Sequence, residues 1–182
     1  KNINKKDFVI VTGADSSHFN SLVNLLNSIK KYEPDTTTKI FNLGMSDQEI
    51  AYLKSTFNFH FINFEFNKYP KFVSEIDNSN KLGSYAWKPI IVYNEYINSG
   101  KNLLWLDAGC LLTRKLSLLK KLILKNGFYS PQSSNKVKDW THFRTVEKLN
   151  YPEKLLNENN FSSGLVGLAS NHEIIEDLVS EW

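Results

Sequence analysis

The sequence predicts an α/β fold, a mostly parallel open sheet with helices on both faces. Three observations carry that prediction. Short apolar runs alternate with helix-spaced segments along the chain. The runs are continuous rather than two-periodic, as expected of strands covered on both faces. Several of them stop at a glycine, and short turns then lead into the next element.

The elements follow in order. "DFVIVTG" (7 to 13) is an apolar run ending in glycine and reads as a buried parallel strand. "HFNSLVNLLNSIKKY" (18 to 32) places Phe19, Leu22, Leu25, Leu26 and Ile29 on one helical face. "TTKIFNLG" (37 to 44) reads as the second strand. Ser46 with Glu49 three residues on forms a capping box and opens the next helix. "FHFINFEF" (59 to 66) is strand-like. A helix is expected from Trp87 to Asn98, with Pro89 in its first turn and Gly100 just past its end. "NLLWLDAG" (102 to 109) is a strand, "LSLLKKLILK" a helix, and "GFYS" (127 to 130) a short strand. "NFSSGLVGLAS" (160 to 170) reads as a buried strand with Ser-Ser-Gly inside it. "KDWTHFR" (138 to 144) has weak periodicity and reads as a loop.

Composition narrows the function classes. The 182 residues are 41% hydrophobic and 23% charged, which suits one domain with a proper core. A net charge of +3 favours anionic ligands mildly, but the lysines are spread too widely for a nucleic-acid signature. The two densest basic stretches, "KNINKK" at the start and "LKKLILK" at 119 to 125, read as solvated faces. Cys110 is the one cysteine, which leaves no internal disulfide framework and suits a small core residue. No apolar run reaches transmembrane length. The sequon "NFS" at 160 to 162 reads as coincidental, because it falls in the expected buried strand.

In open parallel sheets the ligand crevice lies beyond the carboxyl ends of the strands. Gly13 to His18 and Asp107 to Cys110 both fall at such ends. In "TGADSSHF", glycine and small residues expose backbone N–H groups, and Asp15 can accept from a base or a ribose; equally, Asp15, Ser16 or Ser17 can cap a helix. A P-loop is excluded, because the glycine-lysine-serine element is missing. Asp107 ends an apolar strand beside the small residues Ala108 and Gly109. A hard cation such as Mn²⁺ or Mg²⁺ wants such carboxylate oxygens, whereas a turn aspartate uses them in an Asx hydrogen bond. Lys88, in "YAWKP", can meet a phosphate at a helix N-terminus or can be a solvated first-turn lysine. Ser162, Ser163 and Gly164 suggest either a close backbone approach to a ligand or a bend in an edge strand. Asp139, Trp140, His142 and Arg144 could together stack on and hydrogen-bond a sugar. The four histidines show no metal-binding spacing.

Taken in order, "FVIVTGADSSHFN", "NSIKKYEP", "KIFNLGMSD", "GSYAWKPIIVYNEYI", "NLLWLDAGCLL" and "NFSSGLVGLAS" resemble the GT-A, Rossmann-like glycosyltransferases that use nucleotide sugars. The pattern is nearest to the family-eight glycosyltransferases and to an uncharacterised bacterial and nematode family related to them. It spans most of residues 8 to 170.

The resemblance implies roles. Thr12, Ala14 and Asp15 match the base-binding turn, and Gly13 and His18, in the same stretch at the strand end, join them as donor-binding candidates. Lys88 would contact the donor sugar or its diphosphate. Ser162, Ser163 and Gly164 would line the donor pocket. Asp107 matches the first acid of an Asp-x-Asp motif that holds Mn²⁺ or Mg²⁺ with the nucleotide diphosphate. The second acid is Gly109 here, which leaves the metal one strand-end carboxylate.

The implied activity is transfer of a hexose, with retention as family eight implies, from a nucleoside diphosphate sugar, first of all a UDP-sugar. The acceptor would be a hydroxyl on a glycan, in surface polysaccharide synthesis in a bacterial cytoplasm. Asp107, Lys88 and Asp139 would be its catalytic candidates. The resemblance also implies a further acidic motif and a closing segment after Trp182, so residues 1 to 182 read as a single GT-A-like domain, either a fragment of a longer chain or a catalytically incomplete one. Two other classes stay open: a noncatalytic domain of this fold that binds sugar nucleotides or glycans, and an interaction domain with an exposed aromatic patch of Tyr85, Trp87 and Trp140.

Overall fold

The computed structural model describes residues 8–76, 82–170 and 172–181. The basic opening at 1 to 6 therefore lies outside the described residues. Strands β1 (Phe8–Ala14), β2 (Thr37–Asn42), β3 (His60–Asn63) and β4 (Asn102–Leu106) are mutually parallel. They form a six-stranded sheet in the order β3-β2-β1-β4-β8-β5 with β5 (Phe128–Tyr129) and β8 (Leu165–Leu168). β8 runs antiparallel to both of its neighbours.

Alternation along the strands splits the core in two. Phe8, Ile10, Leu104 and Leu106 face α1 (Phe19–Tyr32), α2 (Asp47–Thr56) and α4 (Ser117–Asn126), packing on Leu22, Leu25, Leu53 and Ile123. Val9, Val11, Leu103 and Trp105 face α3 (Trp87–Ser99) and α7 (Glu173–Glu181), packing on Ile91, Val92, Ile175 and Val179. Helices therefore cover both faces, and burial of continuous apolar strands between two layers drives the fold. The expected capping box at Ser46 forms, with Glu49 Oε2 accepting from the Ser46 backbone N–H at 2.8 Å. Gly100, at φ +60°, closes α3. Among the described residues no helix is long and apolar enough to cross a membrane.

Several expectations need correction. The strand expected over 102 to 109 ends at Leu106, and the one expected over 59 to 66 covers only 60 to 63. The segment from 160 to 170 is not one buried strand. Its first part, β7 (Asn159–Phe161), pairs with β6 (Gln132–Lys136) in a separate two-stranded ribbon. Ser162 to Gly164 bend the chain into β8. Asn160 is half-buried on that ribbon, so core burial is no ground for dismissing the sequon. The expected loop at 138 to 144 carries α5 (Val137–Trp140) and the start of α6 (Phe143–Lys148). Both helices are short and largely exposed, and so lack the apolar stripe that marks longer ones. Nor is the 119 to 125 stretch a fully solvated face: Lys120 is buried and ion-paired to Glu33 at 2.6 Å.

Candidate functional site

β1 and β4 lie side by side, with Val11 opposite Trp105, so both chains leave the same edge of the sheet. Their tips open onto one cleft of about 400 Å³. Gly13, Ala14, Asp15 and His18 line it from the first tip, and Asp107, Ala108 and Gly109 from the fourth strand. Lys88 and Trp87 enter from the first turn of α3, and Ser163 from the bend before β8. Sequence positions separated by up to 150 residues therefore meet at one crevice, as parallel-sheet topology requires.

At the centre is an ion pair. Lys88 Nζ lies 2.8 Å from Asp107 Oδ1 and 3.1 Å from Oδ2. It also lies 3.5 Å from Ser163 Oγ, and 5.7 Å from each of the Tyr85 and Trp105 ring centres. The lysine is buried, which corrects the solvated alternative, while the Asp107 side chain keeps 40% of its surface open. Trp105 Nε1–H donates to Asp107 Oδ1 at 2.6 Å. Strand alternation explains that bond, because residues i and i+2 share a face. Trp105 is a site residue absent from the sequence expectations, and the i, i+2 spacing in "WLD" is the signal that points to it. The Asp107 N–H donates to Gly164 O at 2.8 Å, which ties the strand tip to the Ser-Ser-Gly bend.

The turn after β1 does two jobs at once. Asp15 lines the cleft and also caps the short turn at 16 to 18. Its Oδ1 accepts from Ser17 Oγ at 2.6 Å and from the His18 N–H at 3.1 Å, and lies 2.8 Å from His18 Nδ1. Burial pushes this carboxyl up, but the bonds from Ser17 and His18 outweigh it and hold the group below its ordinary range. Ser16 Oγ donates to Glu49 Oε2 at 2.6 Å, anchoring the turn to α2.

The cleft's far wall has unusual backbone. Gly83, Ser84 and Tyr85 all have φ between +47° and +65°. A Cβ at Gly83 would stand 2.1 Å from the Val73 carbonyl oxygen, so only glycine fits there. Holding Ser84 and Tyr85 left-handed costs about 1 to 3 kcal/mol each, and such strain tends to gather at functional sites. It delivers the Tyr85 ring to the cleft.

Other expected residues lie elsewhere. Thr12 is wholly buried in β1, does not line the cleft, and its Oγ1 has no hydrogen-bond partner among the described residues. Ser162 faces an apolar groove beside Phe128 and Phe161. Gly164 sits behind Asp107, with room for a Cβ 3.4 Å from Oδ2. Asp139 is exposed on α5, accepts from the Lys136 N–H at 3.2 Å, and stands outside the cleft lining. Trp140 is exposed but Trp87 is buried against Trp105, so the three aromatics form no common exposed patch. Cys110 is half-buried, with its thiol raised by burial first and by the Asp107 charge second.

A divalent cation fits this donor set poorly. Asp107 is the one acid at the strand end, both of its oxygens lie within 3.1 Å of an ammonium, and Gly109 offers no side chain. Among the described residues no group of three or more His, Cys, Asp or Glu side chains is placed to hold a metal.

The fold is that of the GT-A glycosyltransferases. The galactosyltransferase LgtC, solved with donor and acceptor sugar analogues, matches 94% of this chain over 59% of its own, at 18% identity and a TM-score of 0.61. The bifunctional glycosyltransferase WbbM matches 100% of this chain over 34% of its own, at 14% identity and a TM-score of 0.59. The mannosyltransferase Ktr4p of S. cerevisiae matches 97% over 60%, at 12% identity and a TM-score of 0.58. The chain thus spans at most about three fifths of these three structures. Within that fold class, residues 1–93 match the family described as "Protein of unknown function (DUF1647)", and the chain belongs to that family. No curated protein matches the sequence.

Proposed function

We propose that this chain forms the donor-binding part of a glycosyltransferase that moves a hexose from a nucleoside diphosphate sugar, first of all a UDP-sugar, to a hydroxyl of a glycan. One observation carries the reading. The turn from Gly13 to His18 and the Lys88–Asp107 pair line the same cleft, so groups suited to a base and ribose and a cation suited to a diphosphate face one space. Asp15 and the turn's backbone hold the base and ribose. Lys88, at the positive end of α3, faces the diphosphate.

In the transfer, the bond between the anomeric carbon and the diphosphate oxygen breaks, and the acceptor oxygen bonds to that carbon as its proton passes to the departing diphosphate. Negative charge grows on the departing diphosphate, and a fixed ammonium beside it lowers the barrier. Retention of configuration, as the family-eight resemblance implies, is part of the proposal. Surface polysaccharide synthesis in a bacterial cytoplasm is the setting that goes with it.

Calorimetric titration with UDP, GDP and UDP-hexoses tests the reading. Saturable binding that an Asp15→Ala variant weakens supports it; no binding of any nucleoside diphosphate at millimolar concentration overturns it. A second reading, a noncatalytic domain of the same fold, draws on the fact that both acids lining the cleft are already engaged. Slow hydrolysis of a bound UDP-hexose separates the two, because a pure binding module leaves the donor intact.

A further inference from the structure

We infer that Lys88 takes the place of a divalent cation in this cleft, so that a nucleoside diphosphate binds without metal. The inference rests on the donor-site reading above and concerns how that site handles charge.

Three observations carry it. First, an Asp-x-Asp site sets two carboxylates against one divalent ion. Here the second acid is Gly109, and the remaining acid faces one ammonium at 2.8 Å. Both arrangements sum to zero, so a metal is not needed to cancel the acid. Second, the ammonium spans both Asp107 oxygens, at 2.8 and 3.1 Å. A cation placed on the same oxygens would displace Lys88 or stand within a few ångströms of it, and like charges at that separation repel strongly in a partly desolvated site. Third, the lysine is anchored for the task. Its side chain is 8% exposed, Trp105 fixes the carboxylate that orients it, and the pair still opens to the cleft through Asp107 and Ser163. Among the described residues the third N–H of this ammonium meets only Ser163 Oγ, at 3.5 Å, and that weak contact is the one a phosphate oxygen would replace.

Gly109 supplies the counter-experiment. A Cβ there would meet nothing within 4 Å, and the residue does not need a left-handed backbone, so Gly109→Asp restores the second acid without a clash.

Calorimetry with UDP as the probe, in EDTA and in Mn²⁺, tests the inference on the wild-type protein, and Mn²⁺ alone is followed by electron paramagnetic resonance. UDP affinity within about threefold in the two conditions, with free Mn²⁺ unperturbed by the protein, is the expected result. Lys88→Met is expected to weaken UDP on the order of 10- to 100-fold, the worth of a charge-assisted bond, and Lys88→Arg to recover most of it. Asp107→Asn loosens the anchor of the ammonium and should weaken UDP several-fold, by the same factor in EDTA and in Mn²⁺, since no metal is lost with the acid. The double variant Lys88→Met/Gly109→Asp should bind Mn²⁺ and take UDP only in its presence. UDP binding by the wild type that appears only with Mn²⁺ and is lost in Asp107→Asn overturns the inference while leaving the donor-site reading intact. Absence of UDP binding in both conditions overturns both.

Discussion

Lys88 and Lys120 form the same kind of contact at opposite ends of the sheet. Each is a buried lysine paired to a carboxylate, and each ammonium also lies within 6 Å of an aromatic ring centre. At the amino-terminal edge, Lys120 Nζ meets Glu33 Oε2 at 2.6 Å and Thr36 Oγ1 at 3.0 Å, while Glu33 Oε1 accepts from the Leu116 N–H at 2.7 Å. The two side chains are 4% and 7% exposed, so the pair is closed on every side. Burial alone would push the Glu33 carboxyl up; Lys120, the Leu116 N–H and Thr36 outweigh it and hold the group below its ordinary range. At the carboxyl-terminal edge the Lys88 pair is shut in by Trp105 and α3 but open on the Asp107 side. A closed pair can only hold elements together, whereas an open one can also receive an anion.

That contrast can be broken by experiment. The largest expected effect is on folding. Lys120→Met leaves Glu33 buried and unpaired, and should cost about 3 to 5 kcal/mol in urea denaturation with nucleotide binding kept. Lys88→Met should cost markedly less stability, because water reaches Asp107, and should register in nucleotide affinity instead. Equal stability losses in the two variants would erase the distinction. Next in size is a pH effect. Glu33 titrates below its ordinary value in the folded chain, so its contribution is full above the unfolded carboxyl pKa and is lost as pH falls through the folded one. Glu33→Gln should therefore flatten the acid limb of a stability-versus-pH curve; an unchanged limb would show that the pair contributes nothing there. The smallest effect belongs to Ser163→Ala, which removes a 3.5 Å contact to Lys88 and should change nucleotide affinity by about threefold at most in the same titration.

Much of the fold was legible along the chain. "FVIVTG", "TTKIFN" and "NLLWL" became β1, β2 and β4, because strands covered on both faces must be apolar throughout. Asp107 and the 13 to 18 turn were legible as crevice residues, since they follow such strands. Less was visible where local pattern is weak. Residues 137 to 148 form helices too short and too exposed to show a stripe. A bend at Ser162 to Gly164 was one open reading of the Ser-Ser-Gly, but nothing local showed that it divides the 159 to 168 segment between two sheets.

By itself, then, the sequence determined the alternation of strands and helices, the parallel core, and which tips could carry chemistry, because these depend on neighbours within a few residues. Tertiary structure alone decided which lysines are buried and what they face. Lys88 finds Asp107 across 19 residues and Lys120 finds Glu33 across 87. Nothing in a local window records such a partner, since the energy of burying a charge depends on what the rest of the chain brings to meet it.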